Sequence, residues 1–247
     1  MEQNHCELAR RAGHPITRAV ALVVGACFAL CLVATPAGAR AGNPNKNPVG
    51  GYAAFDLSNP LVLTSSSADV VVPSATCKKK GAIGFGVELV KAETAAYLTR
   101  ADVGVDCIAH KQVEYAVYAY LDGTAEPSEI ASIHAGDTVE TAVTCDGSGT
   151  SVSVHDVNTG FTYAESSAST AACDATQIGG AGVCANASCS KQEYLPEFGA
   201  VAFSDALVNG EALGGFDPVV EQYFEGNKNQ FGPGPLEGGT AFTLDKT

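Results

Sequence analysis

The chain has 247 residues, and 14 Lys and Arg against 27 Asp and Glu give it a formal charge of −13 and a pI near 4.7. That excess of acid excludes nucleic acid as an expected partner, because neutralising phosphates takes clustered Lys and Arg, and the only basic run is Lys78-Lys79-Lys80. Hydrophobic residues make up 46% and charged residues 17%, which supplies a core and argues against wholesale disorder, while a single Met and no Trp sit with a Ser/Thr/Gly/Ala/Val-rich composition that favours short strands over long helices.

At the N-terminus, Arg10, Arg11 and Arg18 precede an apolar run over residues 19–34, and Ala37-Gly38-Ala39 or Ala39-Arg40-Ala41 then offers a cleavage site. Residues 1–41 read as a secretory signal peptide. The run is about sixteen residues, short of the roughly 20 a span needs, so no membrane attachment is expected after cleavage and the protein is expected outside the cell. The remainder carries 10 basic against 25 acidic residues, a charge of −15. Three of the 9 cysteines, Cys6, Cys27 and Cys31, lie in the signal, which leaves Cys77, Cys107, Cys145, Cys173, Cys184 and Cys189. An even count in an exported chain suits three disulfides, with fifteen pairings open and Cys184 close enough to Cys189 to close a small loop. Those two cysteines have no His nearby, so a zinc site, or any metal, is not expected.

Residues 42–50 form a Pro/Asn-rich leader, and 51–247 read as one domain. Strands are expected at 68–72, 83–90 and 97–106. Between 113 and 121 the chain alternates, with Val113, Tyr115, Val117, Ala119 and Leu121 on one face and Glu114, Ala116, Tyr118 and Tyr120 on the other, which is the period of a strand. Residues 138–146 alternate too, 151–163 read as a hairpin turning at Asn158-Thr159-Gly160, and further strands are expected at 200–205 and 240–244. The segments 166–186 and 210–239 are Gly-, Ser- or Pro-rich and read as long surface connections. Many short strands and few helices predict an all-β, two-sheet antiparallel sandwich, and a monomer is expected.

Chemistry is sparse. His110, His134 and His155 have no metal-pair spacing, no Gly-x-Ser-x-Gly elbow occurs, and Gly84-Phe85-Gly86 sits inside a strand pattern rather than opening a helix. No cofactor is expected. The sequon Asn186-Ala187-Ser188 matters only in a glycosylating source.

Several stretches together resemble the glutamic peptidases, the eqolisins of peptidase family G1. They are Gln112-Val-Glu-Tyr-Ala-Val-Tyr-Ala-Tyr-Leu-Asp-Gly123, Ile133-His-Ala-Gly-Asp-Thr-Val139 and Val152-Ser-Val-His-Asp-Val-Asn-Thr-Gly160. Gly51-Tyr52, Val72-Pro73-Ser74, Val103-Gly-Val-Asp-Cys107, Phe198-Gly-Ala-Val-Ala-Phe203 and Thr240-Ala-Phe-Thr-Leu244 follow in the family's order. The resemblance implies a secreted, acid-acting relative whose two sheets pack as in concanavalin A and the legume lectins, with a substrate cleft on the concave face. It also implies a Gln amide that stabilises the oxyanion and a Glu that activates water. Gln112 matches the family Gln. Held in register by Cys189, Ala185 falls on the catalytic Glu, and Gly84 falls on a Trp of a second motif with Glu88 at its Asp. The implied cleft is Glu88, Glu114, Tyr118 and Tyr120. The expected function is a catalytically impaired protein that binds an extended peptide or a glycan, or is structural. The alternative is an acid endopeptidase that uses Gln112 with a relocated Glu such as Glu193 or Glu197.

Overall fold

Alternating burial along the strands divides the chain into two inward-facing surfaces, in a computed structural model that describes residues 46–246 apart from 48, 56–61, 92–95, 122–127, 169–172, 183–192 and 226–227. In chain order the strands are β1 (Lys46–Asn47), β2 (Val49–Phe55), β3 (Ser65–Val71), β4 (Ala75–Thr76), β5 (Gly81–Lys91), β6 (Ala96–Ala109), β7 (Gln112–Leu121), β8 (Ser128–Ser132), β9 (Thr138–Cys145) and β10 (Thr150–Asp156). They continue as β11 (Thr162–Ser167), β12 (Ala175–Gly182), β13 (Glu197–Phe198), β14 (Val201–Val208), β15 (Glu211–Ala212), β16 (Val219–Glu221), β17 (Tyr223–Glu225), β18 (Lys228–Pro233) and β19 (Phe242–Lys246), with one short 3-10 turn at Leu213–Phe216. Among the described residues, every pair between these named strands is antiparallel. One sheet runs β1-β17-β18-β19-β14-β3-β9-β10-β11 with β15 beside β14, the other runs β16-β2-β12-β5-β6-β7-β8, and β13 pairs with β4.

The two large sheets are the expected all-β sandwich. Strands β3, β9 and β10 of the first pack over β5 and β6 of the second. Val70, Val139, Val143, Val152 and Val154 face Ile83, Phe85, Val87, Val103, Val105 and Val117 in one buried cluster. Burying each such side chain contributes about 1.5–3 kcal/mol. Toward β18 the cluster becomes aromatic, with Phe198 edge-on to both Phe85 and Phe231 and Tyr223 stacked on Phe231. Cys77–Cys107 and Cys145–Cys173 are disulfides with Cα–Cα separations of 5.4 and 6.1 Å, and Cys184 and Cys189 lie outside the described residues.

Most expected strands are found within a few residues, and the β10–β11 hairpin turns at the expected place, with Gly160 at φ 75°. Two expected connections are instead sheet. The segment 166–186 contains β12, which lies between β2 and β5 and is buried along nearly its whole length. The segment 210–239 supplies β15 to β18 and the buried side chains of Leu213, Tyr223 and Phe231. Part of the leader is sheet as well: Lys46 and Asn47 pair with β17, and Val49 and Gly50 open β2 in buried positions. In each case backbone pairing to an existing strand supplies the hydrogen bonds that a periodic apolar pattern would otherwise announce.

Candidate functional site

On the side of the seven-stranded sheet away from the core, register sets residues in rows. Gln177 of β12, Glu88 of β5, Arg100 of β6 and Tyr120 of β7 are successive neighbours across four strands. The next row is Gly179, Gly86, Asp102 and Tyr118, with Glu221 of β16 reached across Gly51. Period two then puts Gly84, Gly104 and Asp106 on the same face. The glycines lower the floor. A methyl group on Gly84 would sit 2.6 Å from Asp102 Oδ2, and one on Gly104 would collide with the Tyr118 ring, so the missing side chains make room for the acid and the ring that lean over them.

These polar side chains are buried. Glu88, Asp102 and Gln177 are each 3% exposed and Glu221 is 5% exposed, so each needs a partner to offset lost hydration. The Arg100 guanidinium supplies the centre: its Nε is paired with Asp102 Oδ2 and lies 3.9 Å from Glu88 Oε2. It also lies 5.6 Å from the centre of the Tyr120 ring. On the other flank Gln177 Nε2 donates to Glu221 Oε2 at 3.1 Å. Two acceptors, Glu88 Oε1 and Gln177 Oε1, have no hydrogen-bond partner. They border a space among Gly86, Arg100, Asp102, Gly179 and Ala181 with room for about one water molecule. Further along, the Tyr118 hydroxyl donates to Asp106 Oδ2.

Burial governs the charge states. It pushes Glu88 up to about 8, against the pull of Arg100 and with the help of Asp102 and Glu221. It pushes Glu221 up to about 7. Asp102 is also raised by burial, with Arg100 opposing, and the Tyr120 hydroxyl is pushed up to about 12, so it stays a donor. In acid, Glu88 and Glu221 are therefore neutral carboxyls. A protonated Glu88 has an O–H to offer the Gln177 Oε1, directly or through a water, which removes both orphaned acceptors.

Gln112 stands apart from this cluster. It opens β7 opposite Ala109 and is exposed, whereas the row of Asp102 meets β7 at Tyr118, six residues and about 20 Å further on. Gln112, Glu114, Tyr118 and Tyr120 do share one face, and Val117 and Ala119 point to the core with Val113 and Tyr115 packed against it. Glu88 is part of the cluster, but Glu114 is exposed near the hairpin end. Ala185 lies outside the described residues. Glu197 is held by Lys78 and Lys246 at 3.4 and 2.9 Å, away from the cluster. Arg100, Asp102, Gln177 and Glu221 had no place in the sequence-based site. The alternation of Arg100, Asp102, Gly104 and Asp106 within one expected strand is the signal that could have found the first two. Among the described residues, no three His, Cys, Asp or Glu side chains gather as a metal site.

No protein-family model matches the chain, and neither does any curated protein. Solved structures do match in fold. Scytalido-glutamic peptidase with a transition state analogue inhibitor superposes with a TM-score of 0.66 at 17% identity, over 81% of this chain and 98% of that one. A second structure of that peptidase, with a peptide-based transition state analogue, gives 0.63 at 19% over the same shares. SCP-B, a member of the eqolisin family in complex with the tripeptide Ala-Ile-His, gives 0.63 at 20%, again over 81% and 98%. The chain thus has the fold of a glutamic peptidase.

Proposed function

We propose that this is a secreted protein on the glutamic-peptidase fold that holds an extended peptide on the outer face of its seven-stranded sheet without hydrolysing it. The observation that carries the reading is Arg100, lodged between Asp102 and Glu88 in the centre of the buried cluster. A general base must be ionised and free to take a proton from water. Asp102 is occupied by the guanidinium, while Glu88 and Glu221, raised to about 8 and about 7, hold their own protons throughout the acid range. Losing a general base costs roughly 10²–10⁴ in rate. The two disulfides agree with export into an oxidising compartment. A peptide rather than a glycan is supported by the neighbours, whose structures hold a tripeptide or a peptide-based analogue.

A second reading rests on the two unpartnered oxygens. Gln177 and Glu88, facing one water-sized space, could serve an acid endopeptidase as amide and carboxyl in place of Gln112 and a relocated Glu. Digestion of an unfolded protein between about pH 2 and pH 7 separates the two. The binding reading expects no cleavage by the purified protein. Cleavage that is lost in Gln177→Ala and Glu88→Gln but kept in Gln112→Ala would establish the second reading, and cleavage lost in Gln112→Ala would return the site to the hairpin end.

A further inference from the structure

Two buried oxygens without donors limit what the recess of the seven-stranded sheet can take. Glu88 Oε1 and Gln177 Oε1, on side chains each 3% exposed, meet no hydrogen-bond partner, and both residues line the space beside Gly86, Gly179 and Ala181. Each oxygen has given up hydration and gained no bond in return. Charge is out of balance at the same place. Around Glu88, β6 supplies Arg100 and Asp102, β16 supplies Glu221, and β12 and β7 supply the uncharged Gln177 and Tyr120. One guanidinium therefore stands against three carboxyl groups, and it is already engaged by Asp102.

A group that brings both donors and a positive charge corrects the two deficits together. Size narrows the choice. The space has room for about one water molecule, which admits an ammonium head with its three donors but not a planar guanidinium or a quaternary ammonium. Gly179 is paired with Gly86, and Ala181 with Gly84, so the approach is bordered by backbone and one methyl group and suits an unbranched methylene stem. Among the described residues no three His, Cys, Asp or Glu side chains are grouped as a metal ion would require, which favours an organic cation.

We propose that this recess binds a primary ammonium group of the held peptide, from a lysine side chain or a free amino terminus, which donates to Glu88 Oε1 and Gln177 Oε1. The assignment rests on the peptide-holding reading of the same face and names the group that face selects. It also makes the ammonium compete with a proton. Glu88 keeps its proton up to about pH 8, and that O–H serves the same pair of oxygens, so the ammonium binds by displacing it. Binding is accordingly weak in acid and tightens as pH rises toward 8, by up to about tenfold per unit, with release of up to about one proton. Glu221, charged above about 7, adds to the attraction.

The test has two arms. In the first, the melting temperature of the purified protein is measured near about pH 7.5 in butylammonium chloride and in tetramethylammonium chloride at equal concentration. Butylammonium should give a value higher by about 2 °C or more, with a smaller difference near about pH 5 and none in Glu88→Gln, which keeps the shape and loses the charge. Equal values in wild type, or a difference that survives in Glu88→Gln, would overturn the proposal. The second arm measures, by calorimetry, a capped Ala/Ser peptide with one central lysine, its norleucine, arginine and Nε-acetyl-lysine counterparts, and a lysine-free peptide with a free amino terminus. The lysine peptide should bind about tenfold tighter than the three counterparts, and a match by the free-terminus peptide would assign the ammonium to the chain end. Equal binding of the lysine and norleucine peptides refutes the ammonium site while the peptide reading stands. A butylammonium response with no peptide bound refutes the peptide reading, and with it the peptide as the source of the amine.

Discussion

Replacing Glu88 by Gln removes one ionisable proton from the centre of the buried cluster while keeping its shape. The wild-type carboxyl moves from an ordinary 4.5 to about 8 on folding, chiefly because burial penalises its charge. Below pH 4.5 the group is protonated in both folded and unfolded chains and costs nothing. Between 4.5 and 8 the unfolded chain releases the proton and the folded one keeps it, so stability falls as pH rises, at about 1.4 kcal/mol per pH unit for this one group. Across the whole interval the loss is about 5 kcal/mol, an upper figure because a native site can admit water or shift before it pays in full. Glu221 adds a similar fall between 4.5 and about 7, and the two acids repel one another when both are charged. Glu88→Gln should therefore match wild type near pH 4 and exceed it by about 3–5 kcal/mol at pH 8. Urea unfolding followed by circular dichroism from pH 4 to pH 8 measures this directly; the chain has no Trp to report by fluorescence. Parallel pH profiles for the two proteins would refute the reasoning, since they would mean that Glu88 titrates alike folded and unfolded.

Two other outcomes are expected. Arg100→Met leaves Asp102 and Glu88 without their guanidinium and should lower stability by about 3–5 kcal/mol at neutral pH, with a smaller loss in acid where the carboxyls can protonate; equal losses at both pH values, read from the same urea curves, would show that the side chain serves packing alone. The Cys77→Ser/Cys107→Ser variant opens a link of sequence separation 30 and should lose about 3–4 kcal/mol in a urea titration, whereas a change below about 1 kcal/mol would mean that the turns around Lys78 and Lys111 hold their arrangement unaided.

What could be read in the sequence followed from period two. The alternation in β7, β9 and β10 placed their faces correctly because each has one side in the core and the other toward solvent or the polar rows. Strand β12 gave no such signal. Its core side carries Gly180, where a methyl group would come within 2.9 Å of Phe85 and 3.2 Å of Phe231, and its other side carries Gly179, pressed against the backbone of β2. Small residues on both faces reflect close approach from both sides, and glycines on both faces look in a sequence like a loop. The site was lost with that strand. Without β12 there is no Gln177, and without the β12–β5–β6 pairing nothing says that Glu88 lies between Gln177 and Arg100. Gln112, chosen by resemblance of its flanks, sits at the hairpin end, where the strand face is already open to solvent.

The buried cluster is hard to account for as a stabilising device. Taking Arg100 and Asp102 out of water costs several kcal/mol per ion, burying the polar heads of Glu88, Gln177 and Glu221 adds to that, and the pairs they form return only part of it, so apolar residues of similar volume would hold the sheet at least as well. Two further features point the same way. The floor is glycine at Gly84, Gly86 and Gly179, which adds conformational entropy cost and buries no side chain, and two acceptors are left without donors. A sheet face that is less stable than it could be, recessed, and incompletely satisfied has the properties of a surface shaped for something other than its own folding. The same features give the two raised acids a role: the protons that Glu88 and Glu221 hold lower the charge in the recess, and the Glu88 proton supplies a donor beside an acceptor that lacks one, so for these two groups the protonated state favours the fold and leaves the site neutral apart from the Arg100–Asp102 pair.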